Sequence, residues 1–144
     1  MSKPVILKEV TMALSLEPDM ELQACQKACA LAEFMNMSPD KIDEVQMAVI
    51  EAVINAIEHS HAPDGRIFVH IAVLGHEEPE KLQITVQDRG VGFQRGKLLK
   101  PTIEEKLKVP NKRGWGLEII EGLMDTVDIR SGEDGTRVIM SKAR

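Results

Sequence analysis

The longest apolar stretch of the sequence limits the folds open to this chain more than any other feature. Residues 43–61 read DEVQMAVIEAVINAIEHSH, and most of these positions hold Ala, Val, Ile or Met. Ser38, Pro39 and Asp40 precede the stretch and supply an N-cap followed by proline at the first helical position. We therefore predict a helix from this point to about His61. Apolar side chains would cover well over half of its circumference, so the helix has to be buried in a core.

Three polar residues interrupt this apolar helix at regular intervals. Glu51, Asn55 and His59 are spaced four residues apart, which places them within roughly 80° of one another around the helix. An Asn carbonyl oxygen suits Mg²⁺, and a Glu one turn earlier can accept a proton from a hydroxyl that attacks a phosphoryl group. His59 and His61 would need a third ligand to hold a metal ion. The helix alone is compatible with either a solvent-exposed stripe or a site.

The rest of the chain predicts an α+β fold. The predicted order is one strand, two helices, a strand hairpin, a long glycine-containing loop from Gly90 to Gly116, one helix and a final hairpin. Hairpin-linked strands of this kind are not typical of a doubly wound parallel sheet. We predict a two-layer α/β sandwich, with a mostly antiparallel mixed sheet and three helices on one face. The predicted elements span residues 5–16, about 18–36, 39–61, 66–74, 81–88, 117–127, 127–131 and 136–142.

Composition narrows the class of protein. A chain of 144 residues is the usual size of one domain, so we expect a single domain over residues 1–144. Hydrophobic residues make up 43% and aromatic residues only 3%, which predicts an aliphatic core in which the eight Met fill gaps. A net charge of -5 argues against direct nucleic-acid binding. We find no leader and no stretch long enough for a membrane span, and we expect a soluble cytoplasmic protein.

Two cysteines lie on the first predicted helix. Cys25 and Cys29 are four residues apart and therefore on one helix face, but no second pair or nearby His completes a zinc site. We predict that they are small buried residues, with a redox or metal role as the alternative.

Two glycine-containing segments add further candidate residues. In DRGVGF, residues 88–93, Asp88 ends a strand and Gly90 and Gly92 follow it, which allows close approach of a ligand to the backbone. In NKRGWGLEII, residues 111–120, two glycines directly precede a helix whose free N–H groups can bind an anion. Neither segment fits a dinucleotide fingerprint or a P-loop. Taken alone, each is also compatible with a plain turn or a plain helix start.

Together, in this order, the three segments resemble the conserved motifs of the GHKL ATPases, the Bergerat-fold group that includes gyrase, histidine kinases and MutL. Within that group the sequence is most similar to the bacterial anti-sigma factor serine kinases of the RsbW and SpoIIAB type. The resemblance spans roughly residues 10–142. The matching residues are Glu51, Ala52, Asn55, Ala56, His59, Asp88, Gly90, Gly92, Phe93, Arg113, Gly114, Gly116, Leu117, Leu123, Met124, Asp125, Val127, Gly135 and Thr136.

The resemblance implies a role for most of these residues. Asp88 would accept a hydrogen bond from the exocyclic amine of the adenine of ATP. Gly92 and Thr136 would help to bind the base. Asn55 would coordinate Mg²⁺, and Glu51 would act as general base. The phosphates would be held beneath a lid at about residues 94–113. The remaining residues that the resemblance assigns to nucleotide binding are Gly90, Lys112, Arg113, Gly114, Gly116 and Leu117.

The resemblance also implies partners. The chain would transfer phosphate from ATP to a serine of an anti-anti-sigma protein with the STAS fold, would bind a sigma factor as the competing partner, and would form a homodimer. Three alternatives differ in class. The chain could be a nucleotide-gated binding module without phosphotransfer, a detached catalytic module of a histidine kinase, or a structural domain without a ligand. The missing phosphoacceptor helix argues against the second, and the coincidence of three ordered motifs argues against the third.

Overall fold

The structure, a computed structural model, describes residues 3–59, 65–88, 116–132 and 135–144. Over these residues the chain forms five strands and three helices in the predicted order, which confirms the α+β class. No described helix is long and apolar enough to span a membrane. The elements are β1 (Val5–Ser15), α1 (Met20–Phe34), α2 (Pro39–His59), β2 (Arg66–Gly75), β3 (Pro79–Asp88), α3 (Gly116–Leu123), β4 (Thr126–Gly132) and β5 (Gly135–Ala143).

The strands form one sheet in the order β1-β2-β3-β5-β4. Each of the four pairings between described strands is antiparallel, so the parallel pair of a mixed sheet is not present in this part of the chain. The last two strands are out of sequence order, because β5 inserts between β3 and β4. This insertion places the end of β3 beside the start of β5.

The core lies between the helices and one face of the sheet. Side chains on this face alternate with those on the other, so every second residue of a strand contributes to the core. Short Ala side chains on α1 and α2 let the two helices approach each other closely, and aliphatic residues and Met fill the remaining volume as predicted. Residues with at most 2% exposure in this core include Ala24, Ala28, Met35, Val45, Ala48, Val49, Ala52, Val53, Ile67, Val69, Ile71, Val73, Leu82, Ile84 and Met140.

Leu22 lies outside the buried face of α1, although it is at helical spacing from Cys25. Its exposed fraction is 51%. Leu22 precedes Ala28 by six residues and lies about 120° around the helix from it. The face in the core is instead centred on Ala24, Ala28 and Leu31, because small residues allow the close contact between α1 and α2.

The predicted start of α2 is confirmed and the predicted end of α3 is wrong. The backbone N–H of Lys41 donates to Ser38 Oγ at 3.3 Å, which caps the first turn of α2. The third helix was expected to continue to Val127, but it ends at Leu123. The N–H of Asp125 donates to the carbonyl oxygen of Ser141 at 2.9 Å, so the chain has already joined the sheet at this point.

Candidate functional site

Two polar residues lie opposite each other where β3 ends and β5 begins. Asp88 pairs with Thr136 across these strands and with Ile67 on its other side. Only 3% of Asp88 and 6% of Thr136 is exposed, and both alternate with core residues on the face that packs against the helices. Carboxylates are almost never buried to this extent unless they are paired. A carboxylate and a hydroxyl at this position can accept hydrogen bonds from a donor group in surroundings that are otherwise apolar.

Two contacts fix the direction in which α2 crosses the sheet. The Lys41 amine donates to the carbonyl oxygen of Arg144 at 2.9 Å, so α2 begins above the end of β5. Glu44, one turn later, contacts the Lys142 amine at 2.5 Å. The following turns remain over the core, since the residues at core positions of α2 up to Val53 are fully buried. Helix α2 thus runs from the end of β5 toward its beginning.

This direction brings Asn55 to the same end of the sheet as Asp88 and Thr136. Asn55 lies eleven residues beyond Glu44, which at about 1.5 Å per helical residue is about 16 Å. Thr136 lies six residues before Lys142, which at about 3.3 Å per strand residue is about 20 Å. Two segments that are distant in sequence therefore reach one end of the sandwich.

The carbonyl oxygen of Asn55 is buried and has no hydrogen-bond donor among the described residues. An unsatisfied buried acceptor costs about 1–3 kcal/mol, so this oxygen favours a bound donor or cation. A neutral amide oxygen is a ligand that Mg²⁺ accepts, and Mg²⁺ is commonly held by one or two protein oxygens together with phosphates and waters. Asn55 therefore fits the metal that the resemblance implies. A solvent-exposed stripe does not explain a buried oxygen at this position.

Glu51 lies one helical turn before Asn55 and is half-buried. Glu58, one turn beyond Asn55, is exposed. Among the described residues there is no cluster of three His, Cys, Asp or Glu that could hold a metal ion.

Gly116 is the first residue of α3. The free N–H groups and the positive end of the helix dipole at this point can attract an anion. Leu117 follows it in the first turn of α3. The other residues predicted to bind the nucleotide, and the predicted lid, fall outside the described residues: Gly90, Gly92, Lys112, Arg113, Gly114 and residues 94–113.

Lys142 was not predicted from the sequence as a residue of interest. Its side chain is only 7% exposed and its amine contacts both Glu44 and the carbonyl oxygen of Leu123, each at 2.5 Å. A signal was present in the sequence, because Lys142 continues the alternation that directs Val138 and Met140 toward the helices. A lysine at an inward strand position requires a partner for its charge.

The two cysteines are free thiols, with Cys25 buried and Cys29 partly buried. Burial raises the pKa of the Cys29 thiol from 9.0 to about 11, and the neighbouring Cys25 adds to the shift. Since the thiolate is the reactive form, these surroundings disfavour a nucleophilic or metal-binding role at neutral pH.

We expect Cys29 to react slowly with iodoacetamide in the folded protein. At pH 8 its thiolate fraction is roughly 100-fold below that of an unshifted thiol, and it increases as the pH rises toward 11. Mass spectrometry of the alkylated protein, with and without urea, measures the difference. Folded-state alkylation at pH 8 as fast as in urea would contradict it.

Comparison with known proteins places these residues in a family. Residues 14–142 match the model of the histidine kinase-like ATPase domain. The chain belongs to this family. An anti-sigma F factor of Clostridium acetobutylicum is 31% identical over 139 residues, which cover 88% of this chain and 94% of that protein. The serine-protein kinase RsbW of Oceanobacillus iheyensis is 31% identical over 116 residues, which cover 78% of this chain and 72% of that kinase.

A solved structure supports the fold. The crystal structure of the RsbU and RsbW domains of a Mycobacterium tuberculosis protein matches with a TM-score of 0.68 at 21% identity. The match covers 95% of this chain and 33% of that longer chain. The histidine kinase-like ATPase family and the two-layer sandwich predicted from the sequence are thus both confirmed.

Proposed function

We propose that this chain is an ATP-dependent protein-serine kinase that also acts as an anti-sigma factor. The observation that carries the proposal is the buried oxygen of Asn55, which has no hydrogen-bond donor among the residues that the structure describes. It lies at the end of the sheet that holds the buried Asp88 and Thr136, in a chain of the histidine kinase-like ATPase family. Relatives named as an anti-sigma F factor and as a serine-protein kinase support the two parts of the activity.

In the proposed mechanism, each end of ATP is bound by different elements. The Asp88 carboxylate accepts a hydrogen bond from the adenine amine, and Thr136, beside it, forms a hydrogen bond with the base. The start of α3 at Gly116 binds the phosphates through its N–H groups, with Lys112 and Arg113 adding positive charge. Gly90, Gly92 and Gly114 let the ligand approach the backbone, and Leu117 completes the first turn of α3.

The phosphoryl step depends on positioning and on a proton acceptor. Mg²⁺, held by Asn55, would neutralise charge on the phosphates when bound. Glu51, one turn before Asn55, accepts the proton of the attacking serine hydroxyl. Residues 94–113 form the lid over the nucleotide in this proposal.

The proposed phosphoacceptor is a serine of a STAS-domain anti-anti-sigma protein, and the competing partner is a sigma factor. We further propose that the chain acts as one domain over residues 1–144, in the cytoplasm and as a homodimer. The names of the relatives support the sigma-factor part of this proposal. No direct contact with nucleic acid is needed.

Mg-ATP is expected to raise the melting temperature of the purified protein. A ligand at 100 times its Kd stabilises the folded state by about 2.7 kcal/mol, which is a shift of several degrees for a domain of this size. Differential scanning fluorimetry with Mg-ATP measures the shift, and Mg-GTP serves as the control. An unchanged melting temperature at millimolar Mg-ATP would contradict nucleotide binding.

Affinity capture from the native cytoplasm with and without ATP tests the kinase itself. We expect a STAS-fold protein to be retained and to carry a new phosphoserine after incubation with Mg-ATP. A retained partner with no phosphosite would favour a nucleotide-gated binding module without phosphotransfer.

A further inference from the structure

A buried lysine joins the third helix to the rest of the fold. The Lys142 amine donates to the carbonyl oxygen of Leu123, the last residue of α3, and forms an ion pair with Glu44 of α2. We call these three residues the Lys142 bridge. Because Lys142 belongs to β5, the bridge ties two helices and one strand together at a single buried charge.

The end of α3 is held by further bonds to β5. The Asp125 N–H donates to the Ser141 carbonyl oxygen at 2.9 Å, and the Ala143 N–H donates to Asp125 Oδ2 at 2.6 Å. The hydroxyls of Thr126 and Ser141 lie 2.5 Å apart. The C-terminal end of α3 is therefore fixed to the sheet. The position of its first residue depends on the direction of the helix axis from this fixed end.

The bridge contacts α2 in its second turn and α3 at its last residue. The two helices contact each other, and both contribute buried side chains to the core. Gly116 lies seven positions before Leu123, about 10 Å along the helix. Because a short helix moves as a unit, the position of Gly116 depends on where Leu123 is held.

We propose that Lys142 is a positioning residue, which holds α3 in the axial register that brings its N–H groups to the phosphates of ATP. This inference rests on the proposed function only in assuming that the phosphates bind at the start of α3. Lys142 lies about 20 Å along β5 from Thr136, and it contacts α3 at the end opposite Gly116, so in the proposed site it touches neither the base nor the phosphates. It acts through α3. A positive charge at the C-terminal carbonyl of a helix also stabilises the helix dipole that attracts those phosphates.

The proposal is tested by comparing the binding of Mg-ATP, which carries the phosphates, with that of adenosine, which lacks them. Lys142→Met removes the amine and retains the length of the side chain. The affinities of Mg-ATP and of adenosine are measured by isothermal titration calorimetry at a temperature where each variant is folded. We expect the Kd of Mg-ATP to rise about 5- to 10-fold, because a helix-terminus interaction is lost. The Kd of adenosine should change by less than twofold. Lys142→Arg should restore most of the Mg-ATP affinity.

Lys41→Met is the matched control. It also removes a lysine amine from backbone carbonyls at the end of β5, but it does not contact α3. Both affinities should stay within twofold of the wild-type values. Glu44→Gln, at a side chain that is 41% exposed, provides a milder second variant that decides the question if Lys142→Met does not fold.

Equal losses of Mg-ATP and adenosine affinity, or no loss of either, would overturn the proposal. A wild-type protein that binds Mg-ATP but phosphorylates no partner would contradict the kinase activity alone, because this comparison involves no phosphotransfer.

Discussion

Glu51→Gln is expected to lower the rate of phosphotransfer by about 10²- to 10⁴-fold, the usual contribution of a general base. The change retains the size of the side chain and removes its ability to accept a proton. The affinity for Mg-ATP should stay within about threefold, because Glu51 is assigned no bond to the nucleotide. The measurement is a single-turnover assay of phosphoserine on the captured STAS-type partner.

Glu58→Gln provides a matched control for this variant. Glu58 lies on the same helix, two turns beyond Glu51, and is exposed. The phosphotransfer rate of Glu58→Gln should equal the wild-type rate within a factor of two. Phosphotransfer by Glu51→Gln at close to the wild-type rate would show that the proton goes elsewhere. Equal losses in both variants would indicate that the acidic surface of α2 binds the partner.

Asp88→Asn is expected to weaken Mg-ATP binding by about 10- to 100-fold, since a hydrogen bond to a charged acceptor contributes about 1.5–3 kcal/mol. Adenine presents an amine where guanine presents a carbonyl oxygen. In the proposed site, the Asp88 carboxylate would therefore attract ATP and repel GTP. An amide can turn its NH₂ group toward guanine, so Asp88→Asn should also narrow the preference for ATP over GTP.

The change in the preference for ATP over GTP distinguishes a loss of base recognition from damage to the fold. Asp128→Asn makes the same substitution on an exposed strand residue that contacts Arg130, and it should alter neither affinity nor preference. Titrations of both variants with Mg-ATP and Mg-GTP measure the effect. If Asp88→Asn lowers both affinities equally, Asp88 supports the strand end and does not read the base.

Much of the fold could be predicted because it depends on local patterns. The N-cap at Ser38 and the proline after it set the start of α2 to the residue. Alternating residues in β2 and β3 gave strands whose inward positions are all buried. The end of α3 was predicted wrongly, since Val127 continues the helical period but lies in β4.

Both the sequence and the tertiary structure were needed to identify the candidate site. Motif spacing selected Asn55 and Asp88, but the helix pattern alone could not distinguish an exposed Asn from a buried one. The position of α2 over the sheet made that distinction, because it removes the Asn55 oxygen from water without supplying a described donor. Lys142 belongs to no motif. The alternation of β5 predicts that it points inward, but only the structure shows that its amine contacts two helices.

The sequence by itself determined the order of the elements, the start of α2 and the three segments typical of the family, because side-chain periodicity and capping act within a few residues. Only the tertiary structure decided that β5 lies between β3 and β4, and this placement pairs Asp88 with Thr136. Forty-eight positions separate those two residues. Strand neighbours are selected by the burial of the whole apolar face against the helices, and that choice depends on all the elements together.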